Sequence, residues 1–376
     1  MFNKDIGIDL GTANVLIYIK GQGIVLNEPS VVAIDADTKR PLAVGTEAKE
    51  MLGRTPGKVL AIKPMKDGVI ADFETTEVML NYFIKKVNGK SFFQRPRILI
   101  CCPSNITQVE KNAIKEAAER TGAKKVFLEE EPKVAAIGAG MDISKPSGNM
   151  VIDIGGGTTD IAILSLGGIV ESASIRIAGN AFDNDIVKYI KDKYKLLVGE
   201  RTSEEIKINI GTVFPGNKDE KMEVRGRDLV TGLPHTITLT SDEVEEGLRE
   251  SVYTIIHAAK GILEQTPPEL SADIIDKGIV LTGGGSLVDG FNQILAQELK
   301  VPVFIAESPL TCVAEGTGIM LDNIHGLNPY TTSSSTSISS LLNGANLSPY
   351  LIDKSYIICT GYFCCLNKRP FVTEMD

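Results

Sequence analysis

One short pattern occurs twice in this chain and constrains its fold more than any other feature. Asp5-Ile6-Gly7-Ile8-Asp9-Leu10 reads as a strand, Gly11 to Asn14 as a turn, and Val15 to Lys20 as a second strand; Gly21-Gln22-Gly23 then turns into Ile24-Val25-Leu26. The same order returns as Met150 to Ile154, Gly155 to Thr159, Ile161 to Leu166, and Gly167-Gly168 running into Ile169-Val170. Each first strand carries an aspartate just before its turn, Asp9 and Asp153, which stand 144 residues apart. Solenoid repeats recur every 20–50 residues or so. A spacing this much longer predicts two similar domains that face one another.

Between and after the copies, strand and helix patterns alternate, which predicts an α/β fold. Arg97 to Cys102 is an apolar strand ended by Pro103. Thr107 to Thr121 reads as a helix with Val109, Ala113, Ile114, Ala117 and Ala118 on one face. Lys125 to Leu128 is a further strand, and Pro132 sits where a helix tolerates proline. Thr240-Ser241-Asp242-Glu243 is a helix-start signal, followed by Val244, Leu248, Val252, Ile255, Ile256, Ala259 and Leu263 at helical spacing. Pro267-Pro268 closes that helix. Gly278 to Thr282 reads as a strand, Gly283-Gly284-Gly285 as a turn, and Leu287 to Leu299 as a helix.

Composition narrows the function classes. The 376 residues carry a net charge of −9, and phosphate backbones need clustered cations, so nucleic-acid binding is not expected. No apolar run approaches the roughly 20 residues of a membrane-spanning helix, and no basic-then-apolar leader is seen. Cys101, Cys102, Cys312, Cys359, Cys364 and Cys365 make neither a disulfide framework nor zinc-ligand spacing. A reducing, cytoplasmic location is the simplest expectation. Cys101 and Cys102 are expected to be buried, and His257 to be a packed residue of its amphipathic helix. Residues 326–376, with the run Thr331 to Ser337, read as a low-complexity, disordered tail outside the folded unit.

The repeated turns carry the chemistry. A turn of glycines and threonines between antiparallel strands can gather backbone N–H groups into an anion-binding nest, with Thr12, Thr158 and Thr159 adding hydroxyls. Two carboxylates beside a polyphosphate repel it unless a cation intervenes, and an all-oxygen set points to a largely hydrated Mg²⁺ held near Asp9 and Asp153. Either turn alone reads equally as an ordinary hairpin; the duplication with the same aspartate favours binding. Leu281-Thr282-Gly283-Gly284-Gly285-Ser286 adds a third glycine cluster, where a helix N-terminus would meet a ligand at a strand's carboxyl end. No P-loop sequence is present; Gly53…Gly57-Lys58-Val59 fails in spacing and lacks the Ser/Thr.

Asp5 to Asn14, Asp153 to Asp160 and Leu281 to Ser286 resemble the two phosphate loops and the adenosine loop of the actin/Hsp70/sugar-kinase superfamily. Asn27-Glu28-Pro29-Ser30-Val31-Val32, Lys66 to Asp72 and Thr266-Pro267-Pro268-Glu269-Leu270 resemble the MreB/Mbl family of bacterial actin-like cell-shape proteins, over about residues 1–325. The resemblance implies an actin-like two-lobed ATPase with duplicated core domains and two small inserts. Lobe I would take 1–31, 76–140 and 310–325, with an insert at 32–75. Lobe II would take 141–179 and 246–309, with an insert at 180–245. ATP and Mg²⁺ would lie between the lobes.

Residue by residue, the resemblance implies that Thr12, Ala13 and Asn14 line the first phosphate loop and Gly156, Gly157 and Thr158 the second. Gly284, Gly285, Ser286 and Leu287 would flank the nucleoside, as would Glu204, Glu205, Ile206 and Lys207 on a helix. Glu131, before Pro132, matches the family's hydrolytic position and would handle the attacking water, with Glu129 and Glu130 as rivals; Asp160 reads as a surface or capping residue or as a catalytic one. Phe92-Phe93, flanked by Lys90, Arg95 and Arg97, suits insertion at a membrane interface and falls at the family's membrane loop. The implied role is a cytoplasmic, membrane-associated filament of this chain's own copies that directs cell-wall synthesis with an elongation machinery such as MreC, MreD and RodZ. An Hsp70-like chaperone would need a peptide-binding domain, and a metabolite kinase a catalytic constellation that the sequence lacks.

Overall fold

A computed structural model of the chain describes residues 5–88 and 95–322. All of them belong to one compact unit, Met1–Pro329. Phe92, Phe93 and the 326–376 tail lie outside the described residues.

The sequence repeat becomes a repeated sheet. In the first sheet the strand order is Lys125–Glu130, Arg97–Cys102, Asp5–Leu10, Asn14–Ile19, Gly23–Pro29. In the second it is Val303–Ile305, Ile279–Thr282, Asn149–Ile154, Thr159–Ser165, Gly168–Ile175. Both are mixed in the same way. The aspartate-bearing strand is central, antiparallel to the strand after its turn and parallel to a strand that arrives by a helical crossover. Being central, these strands are buried on both faces, so Ile6, Gly7 and Ile8 in one and Met150, Val151 and Ile152 in the other all lie in the interior.

Two smaller sheets are set into this frame. Pro41–Val44, Val32–Asp35 and Val59–Ile62 form one, beside the short helix Thr46–Met51. Leu196–Leu197, Lys221–Asp228 and Pro234–Thr240 form the other. A two-stranded hairpin, Met65–Lys66 with Val69–Ile70, turns at Asp67 and Gly68, whose φ angles of 51° and 77° suit the tight turn that Asp-Gly favours.

Each large sheet owns a core. Ile8, Ile17, Phe83 and Ile98 anchor one; Ile152, Ile161, Phe182 and Phe291 anchor the other. A third cluster joins them through the helices Glu131–Gly138 and Cys312–Asp322, where Val134, Ala135, Val313 and Leu321 meet Leu99 and Val151. The two helices touch backbone to backbone: a Cβ on Gly138 would strike the Cys312 carbonyl, and one on Gly316 the Val134 carbonyl.

Local expectations hold where a chemical signal is complete. Thr240 and Glu243 form the expected reciprocal cap, and the structure adds a second at Thr107 and Glu110. Others are corrected. Val109 is 78% exposed, so the buried stripe of its helix is Ile114, Ala117 and Ala118. Pro268 does not merely end a helix; it opens another, Pro268–Lys277, at the position where its missing N–H costs nothing. The expected helix Leu287 to Leu299 is split: one 3₁₀ turn spans Gly284–Leu287, Gly290 takes φ 80°, and the α-helix starts at Phe291. His257 is exposed and lies against Tyr253, with ring centroids 6.4 Å apart.

Candidate functional site

The two aspartate-led turns meet. A Cβ on Gly156 would lie 2.6 Å from that of Ala13, and one on Gly157 would strike the Thr12 side chain. Glycine is therefore required here by contact across the gap. Each turn is braced from behind. Ser30 Oγ donates to the Gly11 carbonyl at 2.6 Å, and Ser30 N–H to that of Ala13 at 2.9 Å. The N–H groups of Gly179 and Asn180, which open the helix Gly179–Tyr194, donate to the carbonyls of Gly155 and Gly156 at 3.1 and 2.8 Å. Gly68 N–H reaches Thr12 Oγ1 at 2.9 Å, so the small Asp-Gly hairpin closes over the first turn.

A cavity of about 560 Å³ opens where they meet. Its walls bring together Asp9, Thr12, Ala13, Asn14, Glu131, Asp153, Gly156, Gly157, Thr158, Glu204, Lys207, Gly284, Gly285 and Leu287. Three predicted positions stand elsewhere. Ile206 is fully buried in the second core, on the opposite side of its helix. Glu205 pairs with Arg201 at 3.2 Å and lines the adjoining second cavity instead. Ser286 is buried, and its hydroxyl donates to the Gly283 carbonyl at 2.6 Å, stabilising the turn rather than facing a ligand.

Three carboxyl groups, Asp9, Glu131 and Asp153, line the inner wall, and a fourth, Asp160, is buried behind it. Burial and then the charge of Asp153 push Asp9 up to about 7. Burial raises Glu131 well above the usual carboxylate range, with Asp153, Asp160 and Asp9 adding to it. Asp153 is also raised by burial, although Thr282 Oγ1 donates to it at 2.6 Å. Asp160 reaches about 6, again through burial and Asp153. A buried acidic cluster of this kind lacks a counter-charge. Among the described residues, no three acidic, His or Cys side chains converge tightly enough to hold a metal directly. The donor set therefore fits a cation held through water and phosphate oxygens rather than a protein cage. Of the three consecutive glutamates only Glu131 lines the cavity, at the start of the helix Glu131–Gly138; Glu129 is occupied by Lys133 at 3.2 Å.

The outer wall comes from the helix Glu200–Ile210. Glu204, Lys207 and Ile208 share its cavity-facing side. Lys207 Nζ lies 2.8 Å from Asp183 and donates to the Gly179 carbonyl at 3.0 Å. Burial raises the Asp183 carboxyl, and Lys207 draws it back. Glu204 and Glu200 also reach across to the small insert, pairing with Lys49 at 3.0 Å and Lys63 at 2.6 Å. These pairs stand at a second cavity of about 760 Å³ that shares Thr12, Ala13, Asn180, Asp183, Glu204 and Ile208 with the first. Gly68, Asn180 and Asp183 were not anticipated as wall residues. The Asp67-Gly68 turn signal marks the first; nothing in the local sequence marks the other two.

Comparison with known proteins agrees with this geometry. The chain matches the family model MreB/Mbl protein over residues 3–329; a second model, adenylosuccinate synthetase, matches 301–376, a minor part lying mostly outside the described residues. It is 69% identical over 327 residues to the cell shape-determining protein Mbl of Bacillus cereus (strain ATCC 10987 / NRS 248), covering 87% of this chain and 98% of that protein. Against the cell shape-determining protein MreB of Escherichia coli (strain K12) it is 54% identical over 333 residues, covering 87% and 96%. Among solved structures, MreB 5 of Spiroplasma citri bound to AMPPNP superposes with a TM-score of 0.83 at 39% identity, covering 92% of this chain and all of that one. The MamK double helical filament matches in fold, with a TM-score of 0.72 at 22% identity over 85% of this chain and 98% of that one.

Proposed function

The chain belongs to the MreB/Mbl family, and from that premise we propose that it is a bacterial actin-like cytoskeletal ATPase that sets cell shape. One observation carries the reading: two matching hairpin turns, one from each large sheet, meet at a single cavity with an aspartate behind each. That arrangement suits a triphosphate gripped from both sides. The Spiroplasma citri relatives crystallised with AMPPNP and with ADP support a nucleotide as ligand.

In this reading Thr12 to Asn14 and Gly156 to Thr158 bind the phosphates, while Glu204, Lys207 and Gly284 to Leu287, less Ser286, flank the nucleoside. Asp9 and Asp153 would hold Mg²⁺ through water; the ion would neutralise phosphate charge. Glu131 orients the attacking water in line with the terminal phosphate, a task of positioning and hydrogen bonding. The lobes are 1–31, 76–140 and 310–325, and 141–179 and 246–309, each with its small insert. Rotation about their shared helices would couple the nucleotide to subunit contacts. The protein assembles with its own copies into filaments, adheres to the inner membrane face through Phe92 and Phe93, and guides cell-wall elongation with partners such as MreC, MreD and RodZ. The test is Glu131→Ala. The variant should bind ATP as the parent does and release phosphate about 10²-fold more slowly or worse. Parental turnover would remove Glu131 from the mechanism.

A further inference from the structure

Behind the second phosphate turn lie two buried polar atoms that the reading above leaves unused. Asp160 is fully buried on the strand Thr159–Ser165, directly opposite Asp153 in register. Its Oδ1 accepts the Ser104 N–H at 3.2 Å. Its Oδ2 has no hydrogen-bond partner, nor does the buried Oγ of Ser104. A carboxylate has room for about four hydrogen bonds, and orphaned buried polar atoms are uncommon in folded proteins. Here two occur on residues already joined by one hydrogen bond. The hydroxyls of Thr158 and Ser174 also lie close enough to draw Asp160 back toward its ordinary pKa. A buried water needs about two to four polar partners, and Asp160 Oδ2 and Ser104 Oγ supply two.

We propose that Asp160 and Ser104 hold one buried water, and that this tie makes Asp160 a positioning residue for phosphate-bond hydrolysis. Three elements converge on it. Ser104 follows Pro103, a cavity-wall residue that packs against Gly68. Thr158, two residues before Asp160, also lines the cavity. The strand Lys125–Glu130 delivers Glu131, whose carboxyl feels the charge of Asp160, and pairs Glu130 with Cys102 beside Pro103. Asp160 thus links the turn after Cys102, in the first sheet, to the phosphate turn of the second. It touches neither nucleotide nor attacking water; it fixes the loops that do.

The inference rests on the proposed ATPase reading, and two experiments on the full chain keep the two separable. A high-resolution crystal structure, free of nucleotide, should show a water within hydrogen-bond distance of Asp160 Oδ2 and Ser104 Oγ. An empty pocket, or a direct hydroxyl–carboxylate bond in its place, overturns the water site whatever the protein hydrolyses. In the second, Asp160→Ala and Ser104→Ala should lower kcat by about 10²-fold and about 10-fold respectively, with KM and the affinity for a fluorescent ATP analogue changed less than about threefold. Asp160→Asn keeps an acceptor for Ser104 N–H and should recover most of the loss. Unchanged kcat in Ser104→Ala, or an affinity loss matching the kcat loss in Asp160→Ala, overturns the positioning role. A parent protein that hydrolyses no ATP would instead sink the ATPase reading.

Discussion

Replacing Lys207 by alanine is the sharpest test of how the cavity wall is held. Lys207 and Asp183 are each only 13% exposed and stand 2.8 Å apart. Asp183 Oδ1 has no hydrogen bond beyond that ion pair. Removing one partner of such a pair leaves a buried charge uncompensated, which costs about 3–5 kcal/mol. The residual exposure, and the cavity beside it, put the expected loss near ~3 kcal/mol. For a folded unit of this size that corresponds to a fall in Tm of about 4–5 °C. Measured without nucleotide, the loss reports the pair rather than the ligand.

The pH dependence gives a second handle. Burial already holds the Asp183 pKa above its ordinary 3.8, and Lys207 pulls it down. Without Lys207 it rises further. A carboxyl raised in the folded state is no burden below its unfolded pKa, and it destabilises progressively as pH climbs through the folded value. The deficit of Lys207→Ala should therefore be smaller at pH 5 than at pH 8. Asp183→Asn/Lys207→Met, which removes both charges, should recover most of the loss. A Tm within about 1 °C of the parent at pH 8, or a deficit that ignores pH, would refute this account.

Three further outcomes are expected. Gly157→Ala places a methyl group against Thr12 and should weaken binding of a fluorescent ATP analogue at least tenfold by forcing the two turns apart; unchanged affinity would mean that the turns do not act together. Gly316→Ala drives a Cβ into the Val134 backbone where the two shared helices cross, and thermal denaturation should show a loss of about 1–3 kcal/mol. Phe92→Ala/Phe93→Ala should leave ATP-dependent pelleting intact but lower co-sedimentation with liposomes, since one buried Phe contributes roughly 1.5–3 kcal/mol and a filament multiplies it.

What could be read from the chain was what local chemistry encodes. The central strands announced themselves because burial on both faces leaves unbroken apolar runs. The cap at Thr240 did so because a capping box is a four-residue signal. The duplicated Asp-turn unit supplied the facing walls. Where two physical demands share one residue type, the sequence misled. Proline both stops a helix and opens one, so Pro268–Lys277 was hidden. Glycine both ends a helix and makes a turn, so Gly290 split an element that its flanks presented as one. Helical periodicity placed Val109 in a stripe whose packed part begins one turn later, at Ile114. Glu204 and Lys207, three apart, share a helix face by their spacing alone, and both line the cavity. The pairs Lys49–Glu204 and Lys207–Asp183 depend on tertiary approach and leave no local trace.

The electrostatics of the cleft has a layered logic that follows from burial. At the mouth, Lys49–Glu204 and Lys63–Glu200 bridge the small inserts, but their side chains are 36–64% exposed. Pairs of that kind contribute roughly 0–1 kcal/mol each and weaken with salt. At the floor, the charge of Asp153 from one sheet adds to burial in raising the cost of ionising Asp9 from the other. A like-charge interaction there is screened far less than an attraction at the surface. The floor therefore opposes approach of the two sheets more strongly than the mouth favours it, so long as the carboxylates stand alone. Charge compensation at the floor reverses the larger of the two effects. A ligand that supplied this compensation would therefore bring the two halves together more effectively than the surface ion pairs can.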